Sequence, residues 1–286
     1  MTRRLSSRNF FKNRPFTVSK AGYLLRTIQQ EPGAGNRRLS ALTGLGITSD
    51  DENDGVLPTY ISYLLAMDLI APASREDIRF LLTDLGKAIL DLDPMLAGRG
   101  TLSLLAMLLC EPRTGAHLYD WAVQGRLEKL APFKLDDLHT SVEQLSTEEN
   151  LGANAGANLE LLMKTFTERE AFGLVSPWTQ KNSGHYVPRL LIDIEPPIFW
   201  AIAYELVRLW PVVFPGTFEC SLRDMRRNLL YLPRGVLGIK GRTEELLLTQ
   251  LQRENIITRS AVTTERVALV SRSHDLPAFL RRAIES

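Results

Sequence analysis

Tyr60-Ile61-Ser62-Tyr63-Leu64-Leu65-Ala66-Met67-Asp68-Leu69-Ile70 is an apolar-rich run with helical spacing, and across a short polar gap it meets Ile78-Arg79-Phe80-Leu81-Leu82, which reads as a strand. The same order returns twice. Asn158 to Val175 leads into His185-Tyr186-Val187-Pro188-Arg189-Leu190-Leu191, and Thr243 to Ile257 leads into Glu265-Arg266-Val267-Ala268-Leu269-Val270. A helix with a short apolar exit followed by a small hairpin is the pattern of a winged helix, a module that reads nucleic acid or docks on protein. The sequence thus predicts a mainly α protein of tandem winged-helix-like units with small β-hairpin wings.

Working outward, residues 1–19 form a basic arm with Phe10, Phe11, Pro15 and Phe16 as apolar anchors, expected to dock on the first unit. Residues 20–92 read as the first winged-helix unit. Within it Pro58 fits the first turn of the third helix, and Thr83 is placed to cap a further helix. Residues 93–131 form a helical connector, 132–195 a second winged-helix-like unit, and 196–286 a long apolar helix followed by a C-terminal unit. In that last section Ser221 is the expected cap of Leu222 to Leu230, Arg234 to Arg242 reads as a basic glycine-bearing turn, and Leu276 to Ile284 as a short tail. Trp178, in a polar stretch, is the tryptophan expected to meet a partner.

With 286 residues, 44% hydrophobic and 23% charged, the chain has the composition of a folded protein rather than a disordered one. Its longest apolar runs, Leu102 to Cys110 and Ile198 to Ala203, fall short of the roughly 20 residues that span a bilayer, so a cytoplasmic protein with no membrane partner is expected. Cys110 and Cys220 are far apart and read as buried thiols. The net charge of +1 conceals polarity: the first 38 residues are basic, Asp50-Asp51-Glu52 and Glu148-Glu149 are acidic, and arginine dominates again from Arg223 onward. Such a map suits a polyanionic partner.

The arm, Gly55-Val56-Leu57-Pro58 before a helix ending Met67-Asp68-Leu69-Ile70, Leu82-Thr83-Asp84-Leu85-Gly86-Lys87 and Thr101-Leu102-Ser103-Leu104-Leu105 together resemble an uncharacterised bacterial winged-helix-like family over roughly residues 10–125. Its members are encoded beside phosphoadenosine-phosphosulfate-reductase-like genes and DNA-modification or phage-defence genes. The resemblance implies a defence-associated, DNA-linked protein and carries over no catalytic residue.

Direct signs of chemistry are few. His117, His139, His185 and His274 are scattered, with no metal-ligand spacing, and no cofactor is expected. Gly238-Ile239-Lys240-Gly241-Arg242-Thr243 offers amides, a cation and a helix start for one phosphate but lacks the P-loop spacing. The expected function is therefore non-enzymatic binding of double-stranded DNA, by a regulator or accessory subunit of a phage-defence or DNA-modification system. The candidate contacts are Arg3, Arg4, Arg8, Lys12 and Arg14 in the arm, Arg37 and Arg38, and Lys240, Arg242, Thr243, Gln250, Arg253, Arg259 and Arg266 in the last unit. In the first unit Thr59, Tyr60, Ser62 and Tyr63 occupy the reading-helix position without a single cation, which points to packing. The alternative is a scaffold whose winged-helix units assemble a larger complex with protein partners; a small-molecule-responsive transcription factor is a third reading.

Overall fold

A computed structural model describes residues 15–47, 55–73, 79–111, 120, 122–137, 139, 142, 155–260 and 265–285. Among them the chain is mainly α, with three small antiparallel sheets. The first section is built from α1 (Val18–Gln30), α2 (Asn36–Thr43) and α3 (Val56–Ala66), then the hairpin β1 (Ile70–Pro72) and β2 (Phe80–Leu82), with Ile70 opposite Leu82. α4 (Asp84–Leu92) starts where Thr83 Oγ1 accepts the Gly86 amide at 2.9 Å, the cap expected from sequence. α3 stops at Ala66 rather than Ile70. Asp68 turns left-handed with φ of 56° and the Leu69 amide closes back on the Leu64 carbonyl, which sends the chain into the hairpin.

α3 is enclosed rather than displayed. Tyr60 and Tyr63 are fully buried, and Thr59 and Ser62 turn their hydroxyls onto the Gly55 and Pro58 carbonyls. Phe16, at the foot of the arm, stacks on Phe172 at 5.0 Å and meets Tyr63 edge-on at 5.4 Å, while its amide donates to Thr165. One ring thus fastens the first section to the middle one, and the aromatic helix is core.

α5 (Arg99–Leu109) is buried along almost its whole length. Beyond it a π-helical turn, Ala122–Arg126, runs into α6 (Leu127–Leu130). α7 (Ala155–Thr167) precedes β3 (Trp178–Gln180) and β4 (Tyr186–Pro188), and Phe133 adds a bridge to Tyr186 on the outer side of that hairpin. The helix expected over Leu159 to Phe172 ends at Thr167, because the Phe172 and Gly173 amides fold back onto the Thr165 and Glu168 carbonyls. Trp178 is a correction to the sequence reading. It is 9% exposed and packs its ring on Phe133 at 5.5 Å, so it belongs to the core of the hairpin and does not face a partner.

α8 (Pro196–Val213) is the central rod, packed on α5 and on the last helix. After it come β5 (Glu219–Ser221), α9 (Leu222–Asn228), α10 (Tyr231–Leu237), α11 (Arg242–Arg253), β6 (Ile257–Ser260) and β7 (Arg266–Leu269). The sheet order is β5-β7-β6, so the strand following α8 pairs with the far strand of the hairpin. Ser221 caps α9 as expected, accepting the Asp224 amide at 3.0 Å. The segment read as a basic turn from Arg234 is instead helical to Leu237, and Gly238, left-handed at φ of 71°, ends it. The C-terminal stretch read as a tail is α12 (Leu276–Glu285), which returns to pack on α8, α5 and α4. No helix among the described residues is long and apolar enough to cross a membrane.

α12 and α5 approach so closely at Gly100 that a Cβ there would overlap the Ala283 carbonyl. Gly100→Ala is expected to lower unfolding free energy by about 1–3 kcal/mol in urea titration, the usual cost of forcing packed backbones apart. A half-buried control, Gly33→Ala, has open space around it and should cost less, through its positive φ alone.

Candidate nucleic-acid interface

The section from Glu219 to Arg272 holds ten Arg or Lys residues against six Asp or Glu, a surplus of four positive charges. Its centre is not a free basic patch but a lattice of pairs. Glu244, buried at the start of α11, accepts from Arg226 of α9 at 2.7 Å and faces Arg234 of α10 at 3.1 Å. Glu245 meets Arg226 as well, and lies 3.5 Å from Arg259 of β6. Two carboxylates on one helix thus clamp three arginines from three other elements, holding α9, α10 and β6 against α11.

The cations singled out by sequence fall into distinct situations. Arg3, Arg4, Arg8, Lys12 and Arg14 lie outside the described residues. Arg37 and Arg38 are exposed on α2, and Arg38 pairs with Glu31 at 2.9 Å. Lys240 is tied to Glu128 of α6, Arg266 to Glu219 at 3.2 Å, and Arg259 is shared between Glu245 and Glu265. Thr243 is buried, and its hydroxyl donates to the Leu191 carbonyl at 2.8 Å, so it anchors the start of α11 to the strand exit. Gln250 is half-buried, whereas Arg253 is exposed with only Glu254 nearby, at 3.7 Å, and Arg242 is exposed at the first position of α11.

Sequence reasoning passed over two residues. Arg223 and Arg227 lie on one face of α9 with Arg226, at i, i+3 and i+4, and both are exposed. No carboxylate lies within ion-pair distance of either among the described residues. The signal was present: three arginines at helical spacing directly after a cap.

Beside α9 the charges become internal. Arg208 of α8 donates to Glu205 at 2.7 Å and to Glu111 at 2.5 Å, and both carboxylates are only 2% exposed. Burial would lower the Arg208 pKa, but the two carboxylates outweigh it and hold the guanidinium above its ordinary value. Burial pushes the Tyr204 phenol up to about 12, with Arg208 opposing. Both thiols are free, and burial raises Cys110 strongly and Cys220 to about 11, so neither is a thiolate near neutral pH.

A cavity of about 470 Å³ opens next to this network, between the end of α5, the π-helical turn, α8, α9 and Tyr231 of α10. A second groove, of about 760 Å³, runs along Leu190, Leu191, Ile192 and Leu246, where Leu190, Ile192 and Leu246 are exposed and Lys240 and Arg242 also line it.

The fold has counterparts among solved structures. The chain has the fold of SspB. Against the crystal structure of magnesium-ion-bound SspB the TM-score is 0.71 at 17% identity, covering 100% of this chain and 90% of that one. A second SspB crystal structure matches with a TM-score of 0.69 at 16% identity and the same coverage. No family model matches the sequence, and no curated protein does.

Removing Arg208 would leave two buried carboxylates with no guanidinium. Arg208→Met is expected to lose about 3–5 kcal/mol of stability in urea denaturation, and adding Glu205→Gln to that variant should recover part of the loss. Equal stability of Arg208→Met and wild type would show that the network contributes nothing.

Proposed function

We propose that this chain is a non-enzymatic double-stranded DNA-binding protein, a regulator or accessory subunit of a bacterial phage-defence or DNA-modification system. The observation that carries the reading is the face of α9 beside α11. Arg223 and Arg227 project there without carboxylate partners, and Arg242 and Arg253 add exposed cations from α11. We read the order α8, β5, α9 to α11, β6, β7, with β5 paired to β7, as a winged helix that carries α10 as an extra short helix, and assign α8 to β7 to that module. The system context rests on the resemblance of residues 10–125 and accords with the SspB fold. Contacts of this kind fix a protein on phosphates and read no sequence by themselves.

SspB has been crystallised with magnesium. Among the described residues here no three His, Cys, Asp or Glu converge as ligands, and Glu111 and Glu205 are already turned onto Arg208. The described side chains do not fit such an ion, and no step here uses one.

The exposed groove at Leu190, Ile192 and Leu246 favours a second reading, the scaffold that binds protein partners.

Fluorescence anisotropy with a labelled duplex at about 50 and 200 mM salt separates the two. DNA binding predicts micromolar or tighter affinity at low salt that falls steeply with salt as counterions are released. In Arg223→Ala/Arg253→Ala, both exposed and expected to fold, the log–log salt slope should become shallower by about 2. No binding at low salt would sink the DNA reading in favour of the scaffold.

A further inference from the structure

Three helices of this fold each lead into a hairpin, and they differ in what they leave outside. α3 has no exposed residue over Val56–Ala66, and α7 exposes only Glu160 between Asn158 and Thr167, where it pairs with Lys164. α11 buries Thr243, Glu244, Leu247, Leu248 and Leu251 and leaves its opposite face exposed. Arg242, Leu246, Thr249 and Arg253 stand on that face at i, i+4, i+7 and i+11, which is one stripe along a helix. Core packing accounts for the first set and not for the second.

The stripe has the chemistry of a base reader. Arg242 has no carboxylate within ion-pair distance among the described residues, so its planar fork of donors is unspent. Leu246 is 48% exposed in mid-helix. Thr249 donates its hydroxyl to the Glu245 carbonyl at 2.8 Å, so it keeps a methyl group and an oxygen lone pair. Glu245, the acid that flanks the stripe, meets Arg226 and Arg259, which offsets its repulsion of a polyanion.

Resting on the DNA-binding reading, we propose that α11 enters the major groove and reads base pairs, Arg242 on a guanine and Leu246 and Thr249 on the thymine methyl of a nearby A·T pair. Arg253 at the far end of the helix, with Arg223 and Arg227 of α9, then brackets this stretch on phosphates. The major groove admits an α-helix, the arginine fork matches guanine O6 and N7, and the thymine methyl is the apolar group on the groove wall. The Thr249 lone pair suits the N6 amine of the paired adenine. Readers of the helix-turn-helix type also place the N-terminal part of the second helix on the bases. Arg242 and Thr249 are seven residues apart, about 10 Å along a helix. At about 3.4 Å per base pair, the guanine and the A·T pair lie within about three base pairs of each other.

Selection of duplexes from a random library with the full chain, followed by fluorescence anisotropy on the selected site, tests this. The selected site should hold a guanine and an A·T pair at that spacing. Replacing the guanine by 7-deazaguanine should weaken binding roughly 5- to 100-fold, the worth of one bidentate contact. Replacing the thymine by uracil should weaken it several-fold. Neither change touches a phosphate, so a backbone binder would not respond. Arg242→Ala should lose the response to 7-deazaguanine and keep the response to uracil, and Leu246→Ala with Thr249→Ser should do the reverse, with thermal melts as the check on folding. Duplex binding that yields no selected sequence, or a selected site insensitive to both base changes, would overturn the proposal and leave DNA binding standing. No duplex binding at low salt would overturn both.

Discussion

The pairing of Arg208 with Glu111 and Glu205 is the constraint from which the C-terminal half of the molecule is hung. Arg208 and Glu205 lie on α8, one turn apart, and Glu111 follows the end of α5, so a single guanidinium joins the two most buried helices where they leave the core. Because a buried charge cannot be abandoned cheaply, this fixes the end of α5 against α8 and sets one wall of the adjoining cavity. The same requirement explains the directions of neighbouring pKa shifts. Asp68 is raised by burial, with Arg208 opposing and Glu111 reinforcing, so one guanidinium serves several acids.

The charge lattice around α11 applies the same principle at lower burial. Arg226 and Arg234 meet the buried Glu244 and gain strength from its low exposure. Arg259 is held only at 3.5 and 3.6 Å by two exposed carboxylates, an arrangement worth about 0–1 kcal/mol, so a phosphate could replace either partner. A residue count therefore overstates the cations available to a polyanion, while loosely held arginines remain exchangeable. The exposed arginines of α9 need no exchange at all.

Most of the helices, the hairpins and the caps at Thr83 and Ser221 were legible in the sequence because they depend on local spacing and on a side chain reaching its own neighbouring amides, whereas α10 and α12 read as a turn and a tail. The packing of α3 was half legible. A helix without cations looked unlike a DNA reader, but its complete enclosure depends on Phe16 and Phe172, which no local pattern joins to it. Trp178 misled because its polar neighbours face solvent while its own ring faces Phe133 across the hairpin. In the candidate site Lys240 and Thr243 looked free. Their partners, Glu128 and the Leu191 carbonyl, lie 112 and 52 residues away. The cavity was illegible for the same reason: four separated stretches contribute to it, and only tertiary packing brings them together.

The cavity and the arginine face share one hinge of structure, and its stiffness follows from backbone contact. α9 and α10 are short and consecutive, so Arg227 near the end of one and Tyr231 at the start of the next stand on adjoining surfaces. A Cβ at Gly235 would overlap the Val123 carbonyl, which means that α10 rests directly on the π-helical turn with no side chain between them. The distance from Tyr231 to Gln124 is then set by backbone packing rather than by adaptable side chains. A site whose polar groups are held in this way has less conformational freedom to lose when a ligand arrives. The exposed arginines of α9 and the side chains that line the cavity are thereby held on a common frame.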